Sequence, residues 1–138
     1  MLIPESYVPD LPVRLGLYRR IAALVDRAEI DGFAAELIDR FGPLPAEVEN
    51  LLRIVAIKRL CREAGVEKVE AGPKGAVVSF RKNSFAKPDQ LIAFIGRERK
   101  RFSVRPDQKL IVHSAWETPE ARVTGVHKLM EELAKLAA

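Results

Sequence analysis

Two carboxylates and a guanidinium group stand close together in the segment ELIDRFGPLP, residues 36–45. Glu36, Asp39 and Arg40 are spaced i, i+3 and i+4, so a helix would carry all three on one face. They could form only a Glu–Arg pair, worth about 0.3–0.5 kcal/mol on a solvated surface. They could instead form a rigid polar docking site, because the Gly-Pro corner that follows would fix the end of the helix. The pattern alone leaves both interpretations open.

A basic cluster occupies the segment GRERKRFSVR, residues 96–105. Cations at the end of a helix are favourable without any ligand, because they complement the helix dipole. The same cations could neutralise nucleic-acid phosphates, although only Phe102, expected to point inward, is available for stacking on bases. A solvated helix end and a nucleic-acid contact are both consistent with the cluster, which consists of Arg97, Arg99, Lys100, Arg101 and Arg105.

Trp116 stands just before the predicted last helix, beside His113 and Ser114. Tryptophan is enriched at interfaces, so a contact with a partner is one interpretation. The other is a local packing role at the start of the helix.

No catalytic motif is found in the sequence. It lacks the glycine-rich phosphate loops G-x-x-x-x-G-K-[ST] and G-x-G-x-x-G, the G-x-S-x-G nucleophile motif and a plausible Cys/His pair. Cys61, the only cysteine, falls within an apolar helical run, where an inert thiol is expected. His113 and His127 have no partners at metal-ligand spacing. We therefore expect no enzymatic activity, no metal and no cofactor in this chain.

The composition is that of a soluble globular protein. The chain has 138 residues, of which 48% are hydrophobic and 30% charged, and a formal net charge of +4, too small to require nucleic acid. No run of about 18 apolar residues suggests a membrane span, and no signal peptide is visible. We expect a single cytoplasmic domain over residues 1–138.

Three helices are predicted in a helical part covering about residues 11–64. The first covers 11–25, with arginines mostly off its apolar stripe. Asp26 and Glu29 form a capping signal for the second helix, which ends at Phe41 before the Gly42-Pro43 corner. The third covers 45–64 and has two apolar faces. The apolar stripe predicted for the first helix consists of Leu11, Leu15, Tyr18, Ala22 and Val25.

The pattern changes to alternating residues after Gly65, in a ββαββα part covering about residues 66–138. A hairpin turns at GPKG, a second pair of strands turns at PDQ, and Thr118-Pro119-Glu120 opens the last helix. The predicted fold class is α+β, with three N-terminal helices followed by two ββα units. Their four strands form a largely antiparallel sheet covered by helices. The predicted elements are strands 66–71 and 76–81, helix 89–99, strands 101–105 and 109–113, and the helix that follows Thr118.

Three segments carry a resemblance that extends over nearly the whole chain. They are IPESYVPDLPVRLGLYRRIA (Ile3–Ala22), ELIDRFGPLPAEVENLL (Glu36–Leu52) and GPKGAVVSF (72–80). Their order and spacing resemble the C-terminal domain of the bacterial transcription-repair coupling factors.

The resemblance implies a regulatory domain of a large multidomain protein. Such a protein translocates on DNA with ATP and Mg²⁺ in motor domains absent from this chain, displaces stalled RNA polymerase and recruits the excision-repair protein UvrA. The C-terminal domain packs on a UvrB-like module of the same polypeptide and masks its UvrA-binding surface. The resemblance further implies that Glu36, Asp39 and Arg40 belong to this contact.

Under this interpretation the chain acts in DNA repair without catalysis, and the isolated domain is a monomer. A DNA-binding accessory domain that uses the basic cluster is the alternative, and an enzyme is a third class.

Overall fold

The computed structural model describes residues 2–138 and places five α-helices and four strands in that range. The described chain divides into two compact units, the first ending at Arg59 and the second covering Leu60–Ala138. The predicted α+β class is confirmed, including the two ββα repeats. A single domain over residues 1–138 stays a prediction. The elements are α1 (Leu11–Ala22), α2 (Arg27–Phe41), α3 (Ala46–Ala64), β1 (Val66–Gly72), β2 (Gly75–Phe80), a 3₁₀ turn (Arg81–Asn83), α4 (Pro88–Arg97), β3 (Phe102–Val104), β4 (Leu110–His113) and α5 (Pro119–Ala137).

The helix ends of the first unit follow from local signals in the sequence. The Asp10 carboxylate accepts a hydrogen bond from the Val13 amide and caps α1. The Asp26 carboxylate accepts one from the Glu29 amide at 2.8 Å, which confirms the capping signal predicted for α2. Gly42 ends α2 with a φ of 93°, a conformation that favours glycine, and the predicted corner is confirmed.

The buried face of α1 differs from the predicted stripe. Leu17 and Ile21 are buried together with Arg14, whereas Leu11, Leu15 and Val25 are more than 45% exposed. The predicted stripe is wrong because the chain before α1 folds back and supplies Ile3 and Val8 to the core, so a different face of α1 is buried. The buried core of the first unit consists of Ile3, Val8, Leu17, Ile21, Ile30, Phe33, Leu37, Val48 and Leu52.

Arg14, predicted to lie mostly off the apolar stripe, is 9% exposed. Its Nη1 donates to the carbonyl oxygens of Val8 at 2.8 Å and Pro9 at 3.0 Å. Buried carbonyl groups need a donor, and a guanidinium group can serve two of them at once. Arg14 therefore ties the segment before α1 to the helix.

Two tyrosine hydroxyls also hold this segment in place. The Ile3 amide donates to the Tyr18 hydroxyl at 2.5 Å. The Tyr7 hydroxyl lies 2.8 Å from the Gly42 carbonyl and 3.1 Å from the Leu37 carbonyl, at the end of α2. Together these contacts hold the segment before α1 against α1 and the end of α2.

The second unit is built on an entirely antiparallel sheet among its described strands, in the order β1-β2-β4-β3. Along β2 the apolar side chains of Ala76, Val78 and Phe80 are buried at every second position, as the pleat requires, and Ser79 between them is buried as well. Phe94 of α4 packs against Phe102 of β3, with ring centroids 5.1 Å apart. The buried apolar residues from the strands are Val66, Ala76, Val78, Phe80, Phe102, Leu110 and Val112, and those from α5 are Val126, Leu129, Met130 and Leu133.

Trp116 packs locally against α5. A Cβ atom added to Gly125 would lie 2.3 Å from the indole ring, so the ring rests directly on this part of the helix. The Trp116 amide donates to the Pro73 carbonyl at 2.9 Å, and Arg122 Nε donates to the Trp116 carbonyl at 3.0 Å. These contacts support the packing interpretation. Thr118 caps α5 as predicted, since its hydroxyl accepts from the Ala121 amide.

None of the helices between residues 2 and 138 combines the length and the apolar character that crossing a membrane would require.

Candidate functional site: the Glu36 surface

The Glu36 carboxylate is the centre of a network of charges on the first unit. Arg20 of α1 forms a bidentate pair with it, with Nη1–Oε2 and Nη2–Oε1 distances of 2.5 and 2.8 Å. Arg40, one turn further along α2, donates to Oε2 at 3.2 Å. We call Arg20, Glu36, Asp39 and Arg40 the Glu36 surface.

Arg20 is the member that sequence analysis missed. It precedes Glu36 by 16 residues, so helix periodicity contains no signal for the pair, and only the packing of α1 beside α2 brings them together. The i,i+4 pair between Glu36 and Arg40, one of the two interpretations of the sequence, is present at 3.2 Å.

Aromatic rings orient the two guanidinium groups. The Cζ atom of Arg20 lies 4.9 Å from the centroid of Phe33, and that of Arg40 lies 4.8 Å from the centroid of Phe41. Cation–π contacts at such distances are favourable even at exposed sites. Arg20, Glu36 and Arg40 are 48, 37 and 43% exposed, so the network is fixed yet open to solvent.

Asp39 is exposed, and no ion pair joins it to another residue from Leu2 onwards. The structure therefore does not bring all three predicted residues into one network. Glu36 and Arg40 are paired, whereas the carboxylate of Asp39 is available to an external cation.

A shallow concavity of about 370 Å³ adjoins this network. Arg20 and Glu36 line it together with Glu29 and with apolar groups from α2 and from the residues that follow α1. The surface thus combines charges with a depression that a side chain from another surface can enter. Its lining consists of Arg20, Ala23, Leu24, Glu29, Gly32, Phe33 and Glu36.

The network lowers the pKa of Glu36 to about 2, from an ordinary value of 4.5. The hydrogen bonds from Arg20 are the largest cause, and those from Arg40 follow. Because the folded pKa is the lower one, the pair stabilises the fold above pH 4.5, and this contribution is lost as the pH falls towards 2.

We expect Arg20→Gln to move the pKa of Glu36 back towards 4.5, and Arg40→Gln to move it less. A titration of the side-chain carboxyl carbon by NMR measures both shifts. An unshifted Glu36 in the unmodified chain, or a larger effect of Arg40→Gln, would contradict this description of the network.

The basic cluster divides into engaged and available cations. Arg101 forms a bidentate pair with Glu132 of α5, at 2.9 and 3.3 Å, and Arg105 pairs with Asp107 at 2.6 Å. Each carboxylate raises the pKa of its arginine. Arg97, Arg99 and Lys100 are exposed, and no ion pair holds them within the described part of the chain. Two of the five candidate cations thus have carboxylate partners, and Arg97 lies 6.0 Å from the centroid of the Phe94 ring.

No catalytic role is evident from the described side chains. Cys61 is half-buried, and burial raises the pKa of its thiol, which disfavours the reactive thiolate. Across residues 2–138, no group of three or more His, Cys, Asp or Glu side chains could hold a metal ion. The Ser103 hydroxyl and His113 Nε2 lie 3.0 Å apart on the sheet, and no acidic side chain among residues 2–138 forms an ion pair with this imidazole to orient it.

The described residues thus define an α+β domain with a paired-charge surface and no evident catalytic role. The TRCF domain family matches residues 1–91, and the chain belongs to this family.

Similar proteins carry the same assignment. The chain is 42% identical over 111 residues to the transcription-repair-coupling factor of Rickettsia bellii, an alignment that covers 80% of this chain and 10% of the relative. It is 30% identical over 132 residues to that of Escherichia coli, covering 96% of this chain and 12% of the relative. The chain therefore spans about a tenth of the length of these relatives.

The fold has a counterpart among solved structures. A crystal structure of the C-terminal domain of a transcription-repair coupling factor superposes with a TM-score of 0.76 and 21% sequence identity, covering 99% of this chain and 88% of that one. The comparison establishes a shared α+β fold.

Proposed function

We propose that this chain is a regulatory, autoinhibitory domain of a transcription-repair coupling factor. It packs on the UvrB-like module of the same polypeptide and masks the surface that binds UvrA. The parent protein is an ATP-dependent DNA translocase of transcription-coupled excision repair that acts on stalled RNA polymerase. ATP and Mg²⁺ belong to its motor domains.

The observation that carries the proposal is the preorganised Glu36 surface. Arg20 and Arg40 are held over aromatic rings and bridged by one carboxylate, so they lose little conformational freedom when a partner docks. Each guanidinium group has more N–H donors than Glu36 can accept. Asp39 adds a carboxylate without an ion pair within residues 2–138. The surface can therefore bind both acidic and basic groups of the UvrB-like module.

The two acidic residues have different roles in this proposal. Asp39 contacts a cation of the module directly. Glu36 acts by positioning Arg20 and Arg40, since its two oxygens are already engaged by them. Removing Glu36 would leave two unconstrained cations at the interface.

The test is Glu36→Ala with Asp39→Ala in the full-length protein. Truncating one partner of a close interfacial charge pair typically costs about 2–5 kcal/mol. Each 1.4 kcal/mol changes the open population about tenfold, so UvrA binding without polymerase or DNA should rise by about tenfold or more. The measurement is the affinity for UvrA, compared among the double variant, the unmodified protein and a protein from which this domain is deleted.

A matched control removes two other exposed carboxylates of the first unit, in Asp31→Ala with Glu49→Ala. This control changes the net charge equally and should leave UvrA binding unchanged. If the deletion raises binding and the Glu36/Asp39 variant does not, the masking is real and the assigned residues are wrong. If the deletion has no effect, the masking role itself is refuted.

A DNA-binding accessory role is the second candidate, favoured by the exposed cations Arg97, Arg99 and Lys100. Backbone phosphates would be its ligands, so binding should weaken steeply with salt. Duplex binding by the chain at physiological salt would support this candidate over the masking role.

A further inference from the structure

A groove in the second unit lies apart from the Glu36 surface in sequence and has no role in the proposed masking. It has a volume of about 350 Å³ and runs beside α4. We call it the α4 groove. Its lining consists of Phe80, Asn83, Ser84, Phe85, Pro88, Leu91, Ile92, Ile95, Val104, Gln108 and Leu110.

The groove exposes apolar side chains to solvent. Ile92 is 68% exposed and Val104 is 57% exposed, both among the larger apolar exposures of the described chain. Only Asn83, Ser84 and Gln108 contribute polar side chains to the lining. Leu91 and Ile95 are spaced i, i+4 and form a ridge along α4, which can pack into the groove between two ridges of a second helix.

The charge around the groove is strongly asymmetric. Residues 81–109, which supply most of its lining, contain nine Lys/Arg and three Asp/Glu, a formal net charge of +6. The rest of the chain contains 14 Lys/Arg and 16 Asp/Glu, a net charge of −2. Several of these cations directly adjoin lining residues in the chain, namely Arg81, Lys82, Lys87, Arg105 and Lys109.

Not all of these cations are equally available. Arg105 pairs with Asp107, and Lys87 Nζ donates to the Ala138 carbonyl. Arg81 and Lys82 are exposed and have no ion pair within residues 2–138. Lys109 is half-buried, so the exposed cations beside the lining whose side chains have no partner within residues 2–138 are those of the 3₁₀ turn that leads into the groove.

Unusual backbone conformations also occur at the α4 groove. Among residues 2–138, the non-glycine residues with positive φ are Lys82, Asn83 and Gln108, at 55°, 51° and 67°. Asn83 and Gln108 line the groove and Lys82 adjoins it. Such conformations are disfavoured for L-residues and concentrate at ligand-binding sites.

From the apolar lining, the surrounding charge and the backbone, we propose that the α4 groove binds an acidic amphipathic helix of a partner protein. Its bulky apolar residues pack between Ile92 and Val104, and its carboxylates face Arg81 and Lys82. Helix-in-groove recognition of this kind places apolar anchors at i and i+4. A nucleic acid fits less well, because Phe80 and Phe85 are only 5 and 8% exposed and offer no stacking surface.

The test uses the whole chain and three probes. They are a short helical peptide with Leu and Phe at i, i+4 spacing and glutamate on its polar face, the same peptide with lysine instead, and a DNA duplex. Binding is followed by the NMR signals of the Ile92 and Ile95 methyl groups. We expect the acidic peptide to bind below about 1 mM and to shift these signals, and the lysine peptide to bind at least tenfold more weakly.

Variants connect binding to the groove. Ile92→Glu should weaken binding of the acidic peptide at least tenfold. Ile38→Glu, which changes an exposed apolar residue of α2, should not weaken it. Arg81→Glu with Lys82→Glu should weaken binding and reduce its dependence on salt. Glu36→Ala with Asp39→Ala should leave it unchanged, which separates this site from the masking surface.

Three results would overturn the proposal. They are no binding of the acidic peptide below about 1 mM, equal binding of both peptides, and peptide binding that survives Ile92→Glu. Methyl shifts produced by the duplex and lost in Ile92→Glu would instead assign the groove to nucleic acid.

Discussion

Replacing Gly75 with alanine is expected to lower the free energy of unfolding of the second unit by about 3–5 kcal/mol. Gly75 opens β2 with a φ of 130°, and a Cβ atom there would lie 1.8 Å from the Val112 carbonyl oxygen. That oxygen belongs to the backbone of the neighbouring strand β4, so no side-chain rotation relieves the overlap. The pairing of β2 with β4 must open instead.

Urea unfolding followed by the fluorescence of Trp116, the only tryptophan, measures this effect. Trp116 is a suitable probe because its amide is bonded to the Pro73 carbonyl, next to the hairpin turn. Gly72→Ala is the matched control, since Gly72 pairs with Gly75 across the turn and an added Cβ would meet nothing within 4 Å. Equal stability of the two variants would show that the close approach to β4 is not rigid.

Replacing Arg14 with methionine is expected to destabilise the first unit by about 2–4 kcal/mol. Methionine preserves much of the side-chain length but removes both hydrogen bonds, leaving the Val8 and Pro9 carbonyls without their charged donor. Hydrogen bonds from charged groups are among the stronger ones in proteins. The segment before α1 should detach and expose Ile3 and Val8.

Arg19→Met is the control for this change, because Arg19 lies on the same helix and is exposed. It should alter stability by less than about 0.5 kcal/mol. Urea unfolding followed by the NMR ring signals of Tyr7 and Tyr18 reports on the first unit. Similar losses in both variants would mean that the contacts of Arg14 are not the cause.

The sequence by itself determined the secondary structure and most of its boundaries. Caps at Asp26 and Thr118 and the glycine at 42 act through hydrogen bonds and dihedral preferences within a few residues, so they can be recognised without a fold. The spacing of apolar residues changes after Gly65 from helical to alternating. This pattern also depends only on neighbouring residues, so it separated the helical part from the ββαββα part without a fold. The interpretation of Glu36, Asp39 and Arg40 as a docking site came from the resemblance, and it stays a proposal.

Tertiary structure alone decided which polar groups found partners that are distant in sequence. Arg14 and Arg20 both read as surface residues of an amphipathic helix, yet one is buried against two carbonyls and the other pairs with Glu36 across two helices. The α4 groove, too, is formed by residues from 80 to 110 that meet only in the folded unit. The local sequence pattern predicts which side of a helix or strand is apolar. A hydrogen bond between residues distant in sequence depends instead on how the helices and strands pack, and the whole core determines that packing.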